Sequence, residues 1–275
     1  MPELPEVEVS RQGLLPYLPG QTIVDVVLRA PRLRHDLPAS LRDRLSGLRV
    51  DAILRRGKYL LFDCQSAHGG GWLILHLGMS GSLRLVAPGS APQKHDHVDL
   101  VFGERVLRLR DPRRFGTLVW HEGGPPDSHP LLAHLGIEPL SAEFDGDWLY
   151  AQTRRRNAPI KPLLMDSRFI VGIGNIYASE SLFHAGISPL RAAGRIGAER
   201  CQALARAVRS TLEASIAAGG SSVRDYVHSD GGAGCYQLAC AVYGRDGQPC
   251  PTCQRPLRTL RQAGRSTYYC AHCQR

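Results

Sequence analysis

The feature that most limits how this chain can fold lies near its end. Cys250-Pro-Thr-Cys253 and Cys270-Ala-His-Cys273 are two Cys-x-x-Cys pairs with sixteen residues between them. Knuckles at this separation can set four thiolates tetrahedrally around one Zn²⁺ at about 2.3 Å. Disulfide pairing is disfavoured by the two-residue spacing and by the reducing cytosol. Protein fills every position of the tetrahedron, so one structural zinc is expected. The segment is too short for a core of its own, and metal binding supplies its folding energy. Between the pairs lie Arg255, Arg258, Arg261 and Arg265 and no acidic residue. That pattern is a basic β-hairpin suited to gripping phosphate, or else a solvated basic ribbon.

The whole chain is also basic: 34 Lys and Arg against 25 Asp and Glu leave a formal charge of +9. A polyanion partner follows, most often nucleic acid, although ribosomal and membrane-surface proteins share such a balance. No apolar run approaches the roughly 18 residues that span a bilayer. The first residues lack the basic and apolar regions of a targeting peptide. A cytoplasmic protein with no membrane partner is therefore expected, and nothing suggests more than a monomer.

Residues 5–15 read as a short helix closed by Pro16 and Pro19-Gly20. Short Val-, Ile- and Leu-rich stretches then follow at 22–28, 48–54, 59–63, 72–77, 82–86, 98–102, 106–110 and 117–120, divided by Gly, Pro, Asp and Ser. This spacing predicts a β-sandwich or barrel, with a helix at 37–45 between strands. Gly123-Gly124-Pro125-Pro126-Asp127 is a breaker. Helices are expected beyond it at 130–135, 147–155, 160–166, 176–185, 198–218 and 222–226, with a loop at 229–234. In the longest, Leu204, Ala207, Val208, Leu212 and Ile216 form a core-facing stripe, and Gly219-Gly220 ends it. The expected architecture is α+β and multidomain: a β-sandwich domain with an N-terminal helix over 1–122, a linker at 123–130, a helical domain over 131–240 and a zinc ribbon over 241–275.

Several stretches carry chemistry. If Met1 is removed, Pro2 presents a secondary amine whose reference pKa of about 7.7–8 leaves a nucleophilic fraction near neutrality. Such an amine can attack a sugar carbon and form an iminium, with Glu3 beside it to move a proton. The plainer alternative is a helix start: Pro5 in the first turn, with Glu6 and Glu8 complementing the dipole. Lys58 follows Gly57 where a strand turns, and reads as a phosphate contact, an acid/base or a surface charge. Met79 sits between glycines at one loop tip and Phe115 beside Arg113 and Arg114 at another. Apolar wedges so placed suit entry into a base stack, unless they fold back on the core. Alternation sends His95 and His97 to one face of a strand; with no third ligand evident, a phosphate contact or surface turn is favoured over a metal. Lys161 and Gly172-Ile173-Gly174-Asn175 lie between two helices, where amides can face an anion or a capping Asn can close a turn. Cys64 and Cys201 read as buried apolar groups.

Together these stretches resemble one family, the bacterial formamidopyrimidine-DNA glycosylases. The resemblance rests on Pro2-Glu-Leu-Pro-Glu-Val-Glu8, Lys58-Tyr59-Leu60, His76-Leu-Gly-Met-Ser-Gly81, Lys94-His-Asp-His-Val-Asp99, Asp111-Pro-Arg-Arg-Phe-Gly116, residues 172–180 and the four-cysteine ribbon, in the family's order. It implies a β-sandwich domain, a helix–two-turn–helix domain and a zinc ribbon that bind double-stranded DNA containing damaged bases. The implied activity is excision of oxidised purines such as 8-oxoguanine and formamidopyrimidines, followed by β,δ-elimination at the abasic site. In that scheme Pro2 attacks C1′ and forms the Schiff base, Glu3 is the general acid, Glu6 supports the site, and Lys58 contacts phosphate and assists proton transfer. Met79, Arg113 and Phe115 fill the gap left by the everted base, with Arg113 facing the orphaned partner. His95, Arg114, Arg156, Lys161, Asn175 and Arg265 match backbone contacts, and Arg265 is also assigned to the final elimination. A loop before Tyr243 would cover the everted base. The stretch 231–236, with Cys235 and then Cys240, departs from the family's form there. A sister family acting on oxidised pyrimidines shares the Pro-Glu terminus and the ribbon but not the Met-bearing turn, and a zinc-ribbon DNA-binding protein without catalysis is the third reading.

Overall fold

The computed structural model of the chain describes residues 2–220 and 240–275. Among the described residues two compact units emerge, 2–133 with 219–220 and 134–218 with 240–275.

The first unit runs α1 (Leu4–Leu14), β1 (Asp25–Leu28), α2 (Ser40–Leu45), β2 (Arg49–Arg56), β3 (Tyr59–Ser66), β4 (Gly69–His76), β5 (Ser82–Val86), β6 (Asp96–Phe102), β7 (Arg105–Arg110) and β8 (Thr117–Glu122). The strands form two four-stranded antiparallel sheets, ordered β1-β6-β7-β5 and β2-β3-β4-β8. Period-two alternation turns Leu60, Phe62 and Cys64 of β3 and Leu107 and Leu109 of β7 into one core shared with Val7 and Leu14 of α1. This is the expected sandwich with its N-terminal helix. The expected strand 22–28 is split: Gln21 and Ile23 bond to residues 47–50, and from Val24 onward the chain bonds to β6. The chain thus changes sheets at 23–24.

Both loop tips noted in the sequence are also crossings. The one bearing Met79 links β4 to β5, and the one bearing Phe115 links β7 to β8, each passing from one sheet to the other.

The second unit contains α3 (Gly146–Thr153), α4 (Ile160–Leu164), α5 (Asn175–His184), α6 (Ala198–Ala217), β9 (Arg258–Gln262) and β10 (Arg265–Tyr269). Asp145 caps α3 by accepting from Trp148 N at 2.7 Å. Leu204, Val208 and Leu212 of α6 are fully buried, as the stripe predicts. Tyr177 of α5 and Ser215 of α6 share a buried hydrogen bond of 2.6 Å. β9 and β10 pair through a turn at Ala263-Gly264, both at positive φ. Phe183 of α5 and Val242 share a small core with Leu257, Cys250 and Cys270, so the ribbon is packed onto a helix.

The helix expected at 130–135 does not form. Leu132 N and Ala133 N both donate to His129 O, and the turn stops before Gly136, which bonds to Ser167 O instead. So short a segment gains too few hydrogen bonds to offset nucleation. The expectations at 222–226 and 229–234 lie outside the described residues. Among the described residues no helix is long and apolar enough to cross a membrane.

Candidate functional site

Glu3 and Glu6 are buried, 3% and 1% exposed. Glu3 is the N-cap of α1 in a capping box: Glu3 N donates to Glu6 Oε2 at 2.7 Å, and the Glu3 side chain accepts from the Glu6 amide. Both carboxylates therefore stand at the positive end of a helix directly beside Pro2, itself buried. This is the helix start that the sequence offers as the plainer reading of the stretch.

Lys58 occupies the two-residue turn between β2 and β3, where Arg56 pairs with Tyr59 and Gly57 supplies φ +56°. Tyr59 pairs in turn with His76 of β4, their rings 4.8 Å apart. His76 Nδ1 accepts from Gly78 N at 2.9 Å. Burial, then the charges of Lys58 and Arg34, push the His76 imidazole down to about 4, so it is neutral at physiological pH. His76 was legible only as part of a motif, since nothing local distinguishes it from a core histidine.

Around the loop tips, Met79 is 40% exposed and Phe115 44%. Neither folds back onto the core. The Arg113 guanidinium lies 4.8 Å from the Phe115 ring centre. Buried Asp111 holds both loops: Oδ1 accepts from Ser80 Oγ and Oδ2 from Gly116 N, each at 2.7 Å. His95 and Arg114 adopt left-handed backbone, φ +77° and +55°. A register shift between Asp96 and Val98 breaks the expected alternation. His97 is buried and donates through Nε2 to Asp111 O at 3.0 Å, while Asp111 N donates to His95 O at 3.0 Å. Met79, His95, Arg113, Arg114 and Phe115 are thus brought onto one hydrogen-bonded support.

In the second unit, Lys161 is only 1% exposed. Its Nζ donates to Asn175 Oδ1 at 2.7 Å, Thr267 Oγ1 at 2.8 Å and Ser266 O at 3.3 Å. Asn175 Nδ2 also donates to Ser266 O, at 2.9 Å, and the N-cap of α5 is Gly174 rather than the asparagine. Lys161 and Asn175 thereby join the helices to the β10 hairpin. Exposed Arg265 lies beside them, lining with Lys161, Pro162, Met165, Gln262 and Ala263 a cavity of about 190 Å³. Arg156 is exposed, its guanidinium 5.1 Å from the Phe169 ring centre. Sequence reasoning missed Glu180, 0% exposed, whose carboxylate accepts from the amides of Ala241 at 2.7 Å, Val242 at 3.0 Å and Tyr243 at 2.8 Å. The available signal was the single acidic residue of α5, set between Ser179 and Ser181 and followed by Leu182 and Phe183.

The four ribbon cysteines converge as their spacing predicts, with all four sulfurs within 4.8 Å of one another. Cys253 and Cys270 are 3.5 Å apart and Cys250 and Cys273 3.9 Å. Sulfurs at about 2.3 Å from a tetrahedral zinc would stand about 3.8 Å apart, so the donor set fits. Burial works against ionising Cys270, yet the amides of Cys273 and His272 and the neighbouring thiols bring it down to about 7. Burial and the same sulfurs push Cys273 up to about 12. A divalent cation at the centre lets all four ionise.

A buried N-terminal carboxylate pair, an apolar wedge beside arginines and a four-thiolate ribbon on a helical unit define a zinc-ribbon protein built to work on a nucleic acid. Three family models match in chain order: the formamidopyrimidine-DNA glycosylase N-terminal domain over 1–118, the H2TH domain of the same enzymes over 135–227, and a zinc finger found in FPG and IleRS over 247–275. A formamidopyrimidine-DNA glycosylase from Dechloromonas aromatica is 60% identical over 276 residues, covering 100% of both chains. The crystal structure of the MutM (FPG) protein from Thermus thermophilus superposes with a TM-score of 0.87 at 41% identity, over 99% of this chain and 98% of that one. A complex of a Lactococcus lactis FPG mutant with Fapy-dG-containing DNA gives a TM-score of 0.91 at 32% identity, over 100% of both chains. The chain belongs to the formamidopyrimidine-DNA glycosylase family, and its four cysteines bind one structural zinc.

Proposed function

We propose that this chain is a base-excision repair enzyme that flips oxidised purines out of duplex DNA, excises them through a Schiff base at Pro2, and then cleaves the abasic strand. The observation that carries this reading is the buried Glu3–Glu6 capping box beside Pro2, in a chain that matches the glycosylase family along its full length. The Pro2 nitrogen attacks C1′, the base departs with a proton, and the resulting iminium activates C2′ for elimination. Glu3 supplies the proton at the sugar, and Glu6 fixes Glu3 through the cap. Lys58 holds phosphate and relays protons, with neutral His76 beside Tyr59 shaping its surroundings. Met79, Arg113 and Phe115 occupy the vacated stack. His95, Arg114, Arg156, Lys161, Asn175 and Arg265 hold the backbone, with Arg265 also serving the second elimination. The zinc folds the ribbon and enters no reaction step.

The partner is double-stranded DNA carrying damaged bases, and the enzyme acts as a monomer. Four zinc-binding thiolates suit a reducing compartment, which supports a cytoplasmic location. The deciding experiment is borohydride trapping on a duplex with 8-oxoguanine opposite cytosine. Wild type should form a covalent adduct and Pro2→Gly should not. An adduct only on oxidised-pyrimidine duplexes would transfer the chain to the sister specificity, and tight binding with no adduct on either would leave a non-catalytic binder.

A further inference from the structure

We infer that Asp111, acting with Ser80, is a positioning residue that makes the Met79 loop and the loop carrying Arg113 and Phe115 enter DNA as one rigid wedge. The inference rests on the glycosylase reading above, in which these side chains replace the everted base.

The basis is geometric. Asp111 is 0% exposed, whereas the apolar tips on either side of it are among the most exposed large hydrophobic residues described. One carboxylate oxygen takes the Ser80 hydroxyl and the other the Gly116 amide, each at 2.7 Å. Ser80 Oγ accepts in turn from Arg113 N at 3.2 Å, so the hydroxyl bridges the two loops in both directions. Gly78 packs so close to the second loop that a Cβ there would lie 2.4 Å from the Phe115 carbonyl carbon. The Asp111 main chain adds His95 and His97, its N donating to His95 O and its O accepting from His97 Nε2, both at 3.0 Å. Hydrogen bonds to a buried carboxylate are short and strong, and leaving one unmade is costly.

This arrangement answers a mechanical need. Holding a base out of its stack costs a few kcal/mol, and that load falls on Met79 and Phe115 together. Each loop alone is a single crossing between sheets and could retract separately. Joined through Asp111, they move only if the buried network breaks. The support therefore matters for extruding a stacked base and not for chemistry at a sugar that has no base.

That distinction supplies the test. Ser80→Ala removes both hydrogen bonds of the hydroxyl and leaves the Gly116 N–Asp111 Oδ2 bond in place. Two single-turnover rates are compared on the same preparation: excision of 8-oxoguanine opposite cytosine, and incision at a preformed abasic site. Excision should fall about tenfold while incision changes less than about twofold. Fluorescence of 2-aminopurine beside the lesion should report slower eversion by the variant. Asp111→Asn, which keeps the shape but turns one acceptor into a donor, should widen the gap between the two rates. A parallel fall of both rates in Ser80→Ala, or no fall in either, overturns the inference. Wild type, assayed alongside by excision and borohydride trapping, tests the glycosylase reading separately: its inactivity would sink that reading, whereas a wild-type adduct with unchanged Ser80→Ala would sink only the wedge.

Discussion

Arg55 and Glu8 form an ion pair that ties the helix carrying Pro2 and Glu3 to the turn carrying Lys58. Arg55 Nε donates to Glu8 Oε2 at 3.0 Å while Nη1 donates to Gly57 O at 3.1 Å. Both side chains are 12% exposed, and Arg11 and Gln12 also donate to Glu8. In the sequence alone Glu8 reads only as a complement to the helix dipole. Its position on the sandwich-facing side of α1 makes it the anchor that sets where the N-terminus lies relative to Lys58.

Arg55→Met should therefore slow adduct formation more than it weakens DNA binding, and should destabilise the protein by about 1–3 kcal/mol, since Arg11 still covers Glu8. Burial opposes ionisation of Glu8, but Arg11, Gln12 and Arg55 outweigh it and hold the carboxyl below its ordinary 4.5. A lowered carboxylate stabilises the fold above the ordinary value, and that contribution is lost as pH falls through the folded value. Urea unfolding of wild type and variant should thus differ at pH 7 and converge in acid. An identical difference at pH 7 and pH 3 would refute the assignment.

His76 shifts stability in the same sense but in a higher pH window. The unfolded imidazole takes a proton near 6.5, the folded one only near 4. Between these values the unfolded chain binds more protons, so stability falls as pH drops from 6.5 toward 4, by up to ~3 kcal/mol. His76→Asn, which can still accept from Gly78 N, should flatten that slope. Above pH 6.5 the two proteins should share one pH dependence, and an NMR titration of wild type should show His76 neutral at pH 5.

Removing the zinc should unfold the ribbon and abolish DNA binding while the sandwich unit stays folded. The ribbon thiols should then react rapidly with a disulfide reagent at pH 8. Cys64, which burial pushes up to about 12, should react only on global unfolding. Cys253→Ala should reproduce the loss of zinc and of binding. DNA affinity unchanged by a chelator that demonstrably strips the metal would contradict the proposed role of the ribbon.

Gly78→Ala probes the paired loops from the backbone. The residue has φ +66° and its missing Cβ would strike the Phe115 and Gly116 main chain. The substitution should cost about 2–4 kcal/mol by thermal unfolding, because neither strain nor clash can be relieved by a flexible side chain. Retained stability would show that the two loops can separate.

The zinc ligands were legible because their logic is local: two-residue spacing and sixteen intervening residues suffice. The strands were legible from alternation, and the core stripe of α6 from its helical period. Sheet membership was not, since residues 76–82 look like an ordinary hairpin yet connect strands of different sheets. The supports of the site were equally hidden. Ser80 and Asp111 lie 31 positions apart, and Arg55 and Glu8 lie 47 apart. Short polar side chains at such distances announce nothing until the fold brings them together. Lys161 was legible as an anion contact by its place between helices, but its burial against Thr267 became evident only in three dimensions.

The partners of Glu180 and Lys161 have a consequence for biosynthesis. The amides that neutralise Glu180 lie 61 to 63 positions downstream of it, and the hairpin groups that receive Lys161 lie 105 and 106 downstream. During translation the helical segment therefore emerges before the backbone amides that receive Glu180 and the hairpin oxygens that join Asn175 around Lys161 have been made. It cannot bury these two side chains at low cost until the hairpin has left the ribosome. A chain cut short before residue 266 leaves Lys161 without its hairpin partners, and one cut before residue 241 leaves Glu180 without its amides, so prematurely terminated copies should be degraded before they can occupy damaged DNA.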